Sequence, residues 1–127
     1  MKMHIKEFAD FTGVSVRTLH YYDEIGLLKP AITDQNNGYR YYDNESAERM
    51  FEIIFLRELD FSLKSIKDIL SSPDYNKKEA YRKQKELLLL KKSRLDRLIL
   101  ALDKAEKGEF DMKSLNNNEY EAAKNSY

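Results

Sequence analysis

Five residues in one seven-residue stretch, Ser15, Arg17, Thr18, His20 and Tyr21, carry side chains able to bond phosphate oxygens or base edges. Arginine presents a planar fork of donors that fits two acceptors at once, as on a guanine edge or a phosphate. The hydroxyls of Ser15 and Thr18 suit a phosphate or a base. Tyr21 sets a hydroxyl on a rigid stem, fit for a phosphate or for apolar contact with a thymine methyl, and His20 can donate to either kind of acceptor. A second cluster lies in Gly38-Tyr39-Arg40-Tyr41-Tyr42, where Arg40 and Tyr41 suit charge-assisted contact with a phosphate backbone. The blander alternative makes Arg40 a surface charge, Tyr41 a strand filler, and Tyr21 and Tyr22 packing residues. It fits Tyr22 better than Tyr21.

The elements that must position these groups follow from local pattern. Ile5, Phe8 and Ala9 form one apolar stripe of a helix over 5–11. Gly13 allows a sharp stop, and Ser15 is a strong N-cap for the next helix. Val16, Leu19 and Tyr22 then face a core, which turns Arg17, Thr18, His20 and Tyr21 outward. Pro30 blocks simple continuation. Asn37-Gly38 favours a tight hairpin turn, and the tyrosines after it suit a strand, giving a short exposed wing. Asp43 or Asn44 caps a third helix over 45–59, with Ala47, Met50, Phe51, Ile54 and Phe55 as its apolar stripe. A short helix through Ile66, Ile69 and Leu70 follows. Ser71-Ser72-Pro73-Asp74 reads as a linker.

From Asn76 to Lys107 one helical pattern runs without Gly or Pro. Tyr81, Leu88, Leu95 and Leu102 recur every seven residues, with Gln84, Lys91, Leu98 and Ala105 offset by three. This is a coiled-coil seam, apolar in its C-terminal half and polar in its N-terminal half. Leu87, Leu89 and Leu90 add apolar surface beside it. Gly108 is a natural stop, and 109–127, polar and Asn-rich, reads as a flexible tail. The chain is thus mainly α: a winged helix-turn-helix over 1–75, a long coiled-coil helix over 76–108, and the tail.

Composition narrows the function. The 127 residues hold 22 Lys and Arg against 22 Asp and Glu, and no Cys. Disulfides, thiolate metal sites and thiol redox sensing are excluded. Two histidines, His4 and His20, are too few for a histidine-rich metal site. The absence of a signal-like or membrane-length apolar run makes a cytoplasmic protein the expectation. Residues 1–75 carry 9 Lys and Arg against 13 Asp and Glu, a net of −4, and 76–127 carry 13 against 9, a net of +4. Nucleic-acid affinity must therefore come from charges placed on one face, since DNA-binding modules are usually basic overall. Asp23-Glu24 and Glu45 with Glu48 fall at helix termini, where carboxylates favour the dipole or act as caps. With no nucleophilic Cys, glycine-rich phosphate loop or metal-ligand cluster, an enzyme reading is poor.

Taken in order, residues 5–23, 27–30, 38–42 and 61–66 resemble the DNA-binding domain of the MerR family of transcription regulators, and the likeness extends through the long helix to about residue 107. Leu19-His20-Tyr21-Tyr22-Asp23, Ser-Pro-Asp at 72–74 and Lys91-Lys92 are most similar to its multidrug-responsive, TipA-like branch. The resemblance implies a homodimer, joined by an antiparallel coiled coil through Tyr81, Leu88, Leu95, Leu98, Leu102 and Ala105. Such a dimer binds a palindromic operator in double-stranded promoter DNA and distorts the spacer so that RNA polymerase engages the promoter; deformation energy is supplied by protein contacts. By position, Ser15, Arg17, Thr18, His20 and Tyr21 are recognition-helix contacts, Arg40 and Tyr41 first-wing contacts, and Ser62 and Lys64 second-wing contacts to phosphate. No cofactor or metal is implied, and the effector is undefined.

Three departures matter. Many members have Arg where this chain has His20, which weakens the contact assigned there. Metal-sensing members carry interface cysteines, absent here. Drug-sensing members carry a large C-terminal ligand domain, which the 20 residues after Lys107 cannot form, so the chain reads as a fragment or as a short regulator. An excisionase-like DNA-architectural factor is the alternative, disfavoured by the long heptad arm. A coiled-coil interaction module without a DNA role leaves the helix-turn-helix and wing unexplained.

Overall fold

The N-terminal helices are set by their ends. In a computed structural model, which describes residues 2–72, 76–110 and 112–115, helix α1 spans Ile5–Thr12 and α2 spans Val16–Glu24. Between them Gly13 adopts φ +76°, and its N–H donates to the Ala9 carbonyl at 2.9 Å. That left-handed residue ends α1 and turns the chain. Ser15 then caps α2, accepting from the Thr18 N–H at 3.1 Å.

The wing is a three-stranded antiparallel sheet in the order β1-β3-β2, with β1 Met3–His4, β2 Ile32–Thr33 and β3 Arg40–Tyr42. Tyr41 is the hinge of the register, opposite His4 on one side and Ile32 on the other. Strand β1 is an addition to the expected hairpin; two residues are too short to show a period of two. The turn also differs from a tight Asn37-Gly38 reversal. The loop between the strands holds residues 34–39, closed by the Asp34 N–H donating to the Tyr39 carbonyl at 2.8 Å and the Gly38 N–H to the Asp34 carbonyl at 2.7 Å. The Asp34 and Asn37 side chains accept from the Asn36 and Tyr39 amides, so side-chain acceptors do the work of the missing ladder bonds.

Helix α3, Asn44–Glu58, begins at Asp43, whose carboxylate accepts from the Ser46 N–H at 3.0 Å. Its buried face is Ser46, Ala47, Met50, Ile53 and Leu56. The expected stripe was correct at Ala47 and Met50 but out of phase beyond them: Phe51 and Phe55 are exposed, and Ile54 is half-buried. Residues 53–56 are apolar without a break, so periodicity alone does not choose a face; packing on α1 and α4 does. Helix α4, Leu63–Ser71, buries Ile66 and Ile69 behind an N-cap at Ser62.

These elements belong to the first of two units, residues 1–75 and 76–127. Its core combines Phe8, Leu19, Tyr22, Leu27, Met50, Ile53 and Ile66, with Tyr42 stacked on Phe8 at 4.3 Å between centroids. The second unit is built on α5, Lys77–Glu106, capped by Asn76. Arg82 pairs with Glu79 and Glu86 along its surface. The segment after Gly108 departs from a wholly flexible tail over Met112–Leu115, a 3-10 turn that contacts α5. Half of the expected linker at 71–74, namely Pro73 and Asp74, lies outside the described residues.

The Asp43 carboxyl is held below its usual 3.8, chiefly by the backbone and hydroxyl hydrogen bonds from Ser46. A lowered folded value means that stability is present above pH 3.8 and is lost as pH falls through that lowered value. Chemical denaturation against pH is expected to show this acid limb in the wild-type chain and a shallower one in Asp43→Asn.

Candidate nucleic-acid interface

Helix α2 is divided by burial. Leu19 and Tyr22 are 0% and 1% exposed, which pins one side to the core. Arg17, His20 and Tyr21 are exposed, and Thr18 is half-buried. The hydroxyls of Ser15 and Thr18 are linked, Ser15 donating to Thr18 at 2.9 Å, which leaves the Thr18 O–H itself available to donate. Among the described residues Arg17 has no hydrogen-bond or ion-pair partner.

Arg40 is differently placed. Its Nη1 lies 2.6 Å from Nδ1 of His20, and its Nε lies 3.3 Å from Oδ2 of Asp23. The wing arginine is therefore tied to α2 rather than standing as a free surface charge. Asp23 also faces Lys29, 3.5 Å from Oδ1. Asp23 and Glu24 sit at the C-terminal end of α2, where a carboxylate opposes the helix dipole rather than favouring it. That corrects the reading of this pair: Asp23 is retained there by two cations. Below it the Tyr42 hydroxyl is buried and unpartnered among the described residues. Burial first, and the Asp23 charge second, push its pKa up against the opposing pull of Arg40.

Tyr41 is half-buried, its ring tilted against His4 at 4.7 Å. Ser62 caps α4, accepting from the Ser65 N–H at 3.1 Å and donating to the Ser65 hydroxyl at 3.0 Å. Lys64 is exposed beside the leading amides of that helix, a local field that favours anions. In the first unit the structure thus brings His20 and Arg40 together with Asp23, and holds Ser15 against Thr18. Ser62 and Lys64 stand on a separate element. In the second unit Tyr81, Leu95 and Leu102 are 41%, 55% and 68% exposed on α5; Ala105 is exposed, and Leu88 and Leu98 are half-buried.

Sequence reasoning missed the residues that fix these elements. Arg57 donates to the Tyr22 hydroxyl at 2.8 Å, Lys67 to the Ile25 carbonyl at 2.8 Å, and Arg49 to the Leu27 carbonyl at 2.9 Å. Each joins positions more than twenty residues apart, which no local pattern reveals. A signal for Asp23 did exist: a carboxylate three residues after His20, at the unfavourable end of a helix.

The match to known proteins is direct. Residues 3–73 fit the model of the MerR HTH family regulatory proteins. The chain belongs to the MerR family. It is 45% identical over 105 residues to the HTH-type transcriptional activator mta of Bacillus subtilis, covering 82% of this chain and 40% of that protein. The crystal structure of MtaN, the N-terminus of the Bacillus subtilis multidrug transporter activator, superposes with a TM-score of 0.74 at 41% identity, covering 81% of this chain and 96% of that one. The EcmrR–DNA complex in EcmrR-RPo gives a TM-score of 0.71 at 28% identity, covering 84% and 40%. This chain spans about 40% of the length of the curated MerR relatives it matches. The excisionase-like alternative is not favoured by these relatives. Among the described residues, no helix is long and apolar enough to cross a membrane.

The Tyr22–Arg57 bond yields an asymmetric prediction. Removing the hydroxyl with Tyr22→Phe leaves Arg57 free to hydrate and costs about 0.5–1.5 kcal/mol, whereas Arg57→Met strands a buried hydroxyl and costs about 1–3 kcal/mol. Urea unfolding of both variants tests the order.

Proposed function

We propose that this MerR-family chain is a transcription regulator that binds a palindromic operator in double-stranded promoter DNA as a homodimer. The observation that carries the reading is the divided surface of α2: with Leu19 and Tyr22 in the core, Arg17, His20 and Tyr21 are left to solvent beside the wing arginine. A recognition helix needs an inner face that locks it and an outer face that reads the major groove. Ser15, Arg17, Thr18, His20 and Tyr21 form the recognition set in this reading. Arg40 and Tyr41 form the first wing, and Ser62 and Lys64 the second. Arg17 is the leading candidate for a base contact, and Lys64 meets a phosphate beside the α4 N-terminus.

The exposed heptad residues of α5 support a dimer, because a leucine row of this length is stable in water only when covered. Tyr81, Leu88, Leu95, Leu98, Leu102 and Ala105 form that seam, pairing antiparallel with a second copy and setting the separation of two heads. The regulator then distorts the spacer so that RNA polymerase engages the promoter, the deformation energy being offset by protein contacts on both half-sites. The EcmrR–DNA complex in EcmrR-RPo, a relative in fold and sequence, lends support to this mode. The work is binding rather than catalysis, and it carries a cytoplasmic site of action with it.

Two measurements test the reading. Arg17→Ala is expected to weaken binding to a duplex enriched by the wild-type chain by about 1–3 kcal/mol if Arg17 reads a base; unchanged affinity removes it from the interface. Sedimentation at micromolar concentration is expected to give a dimer, and Leu102→Lys a monomer that retains its fold but not tight binding. Tight binding by a monomeric variant would refute the two-headed arrangement.

A further inference from the structure

Arg40 touches α2 at two points, and the second is unusual. A guanidinium has donors only, so the 2.6 Å approach of Nη1 to Nδ1 of His20 requires that ring nitrogen to accept. The imidazole is then neutral, with its proton on Nε2. Asp23 forms an ion pair with the same guanidinium, its Oδ2 3.3 Å from Nε. One ring acceptor and one carboxylate on the same helix thus hold the cation at the helix–wing junction. His20 has used its accepting nitrogen on the wing, and only its Nε2–H remains for any other partner.

We infer that His20 acts chiefly as a positioning residue: with Asp23 it orients the Arg40 guanidinium between recognition helix and wing. The inference rests on the DNA-binding reading above, and it changes the role given to His20 there. Operator affinity supplied through Arg40 therefore falls when the accepting nitrogen at position 20 is lost. A histidine that merely touched phosphate would contribute independently of Arg40.

The groups around the cluster are few. Asp23 lies on the same helix and Lys29 just beyond its end. His4 and Lys6, from β1 and α1, line the same cleft as His20 and Arg40, with Tyr39 at its wing edge. Tyr42 lies beneath, its hydroxyl pKa pushed up by burial and by Asp23 and pulled down by Arg40. His4 is the one other imidazole in the chain, so a variant altered only at position 20 separates the two. His20→Asn is the informative replacement, because its amide oxygen accepts in nearly the place of Nδ1. His20→Leu removes the acceptor.

The test measures affinity of the full chain for a duplex enriched by the wild type from a random-sequence pool. Arg40→Ala is expected to weaken binding about tenfold and His20→Leu roughly fivefold, with the double variant no weaker than Arg40→Ala alone. His20→Asn, which keeps an acceptor near the place of Nδ1, recovers most of what His20→Leu loses. Additive losses in the double variant, or a His20→Asn variant as weak as His20→Leu, would overturn the inference and make His20 a direct contact. A wild-type chain that enriches no duplex would refute the DNA-binding reading and the positioning role together.

Discussion

Burial of one side of α2 is the constraint on which the remainder of this unit depends. Leu19 and Tyr22, three residues apart, are almost wholly removed from water, and together they fix the rotation of the helix about its own axis. A helix of nine residues has little stability by itself; its orientation comes from these two anchors, the Ser15 cap and the Arg57 bond to the Tyr22 hydroxyl. Once that rotation is fixed, the outward direction of Arg17, His20 and Tyr21 follows from the 3.6-residue period alone. Losing the anchor would spread the same side chains over an ensemble of directions.

Charge acts on a second scale. A neutral chain whose first 75 residues are net acidic has no bulk attraction for a polyanion. What the fold provides is placement. Asp23, at the wrong end of a helix for a carboxylate, gathers Lys29 and Arg40 to within 3.5 Å. The carboxylate thereby orders cations at the junction of helix and wing. The same arrangement shapes the interior, because Tyr42 lies beneath the cluster with its hydroxyl buried and its ring stacked on Phe8. The wing is thus coupled to the core through one strand whose residues alternate between these tasks.

Much of this is legible in the sequence. Local signals read well: Gly13 as a stop, Ser15 and Asp43 as caps, and the unbroken helix ending near Gly108 are all written within a few residues of where they act. The α3 face was misread beyond Met50 because residues 53–56 are all apolar, and a pattern without polar interruptions has no phase. The wing loop was misread because Asn37-Gly38 favours a two-residue turn locally, while Asp34 and Asn37 stabilise a six-residue loop by accepting from its amides. Strand β1 was missed because pairing with β3, forty residues away, is its whole reason for being extended.

The sequence by itself determined the order of elements, the caps that bound them, the outward set on α2 and the heptad row on α5, because each depends on neighbours within one or two helical turns. Only the tertiary structure decided which face of α3 is buried, that Arg40 is bound to His20 and Asp23, and that Arg57, Lys67 and Arg49 bind α2 and the turn after it. Those contacts join residues 17 to 42 positions apart. Side chains that long and flexible acquire a partner only when packing of the core brings one within reach, and no spacing along the chain encodes that distance.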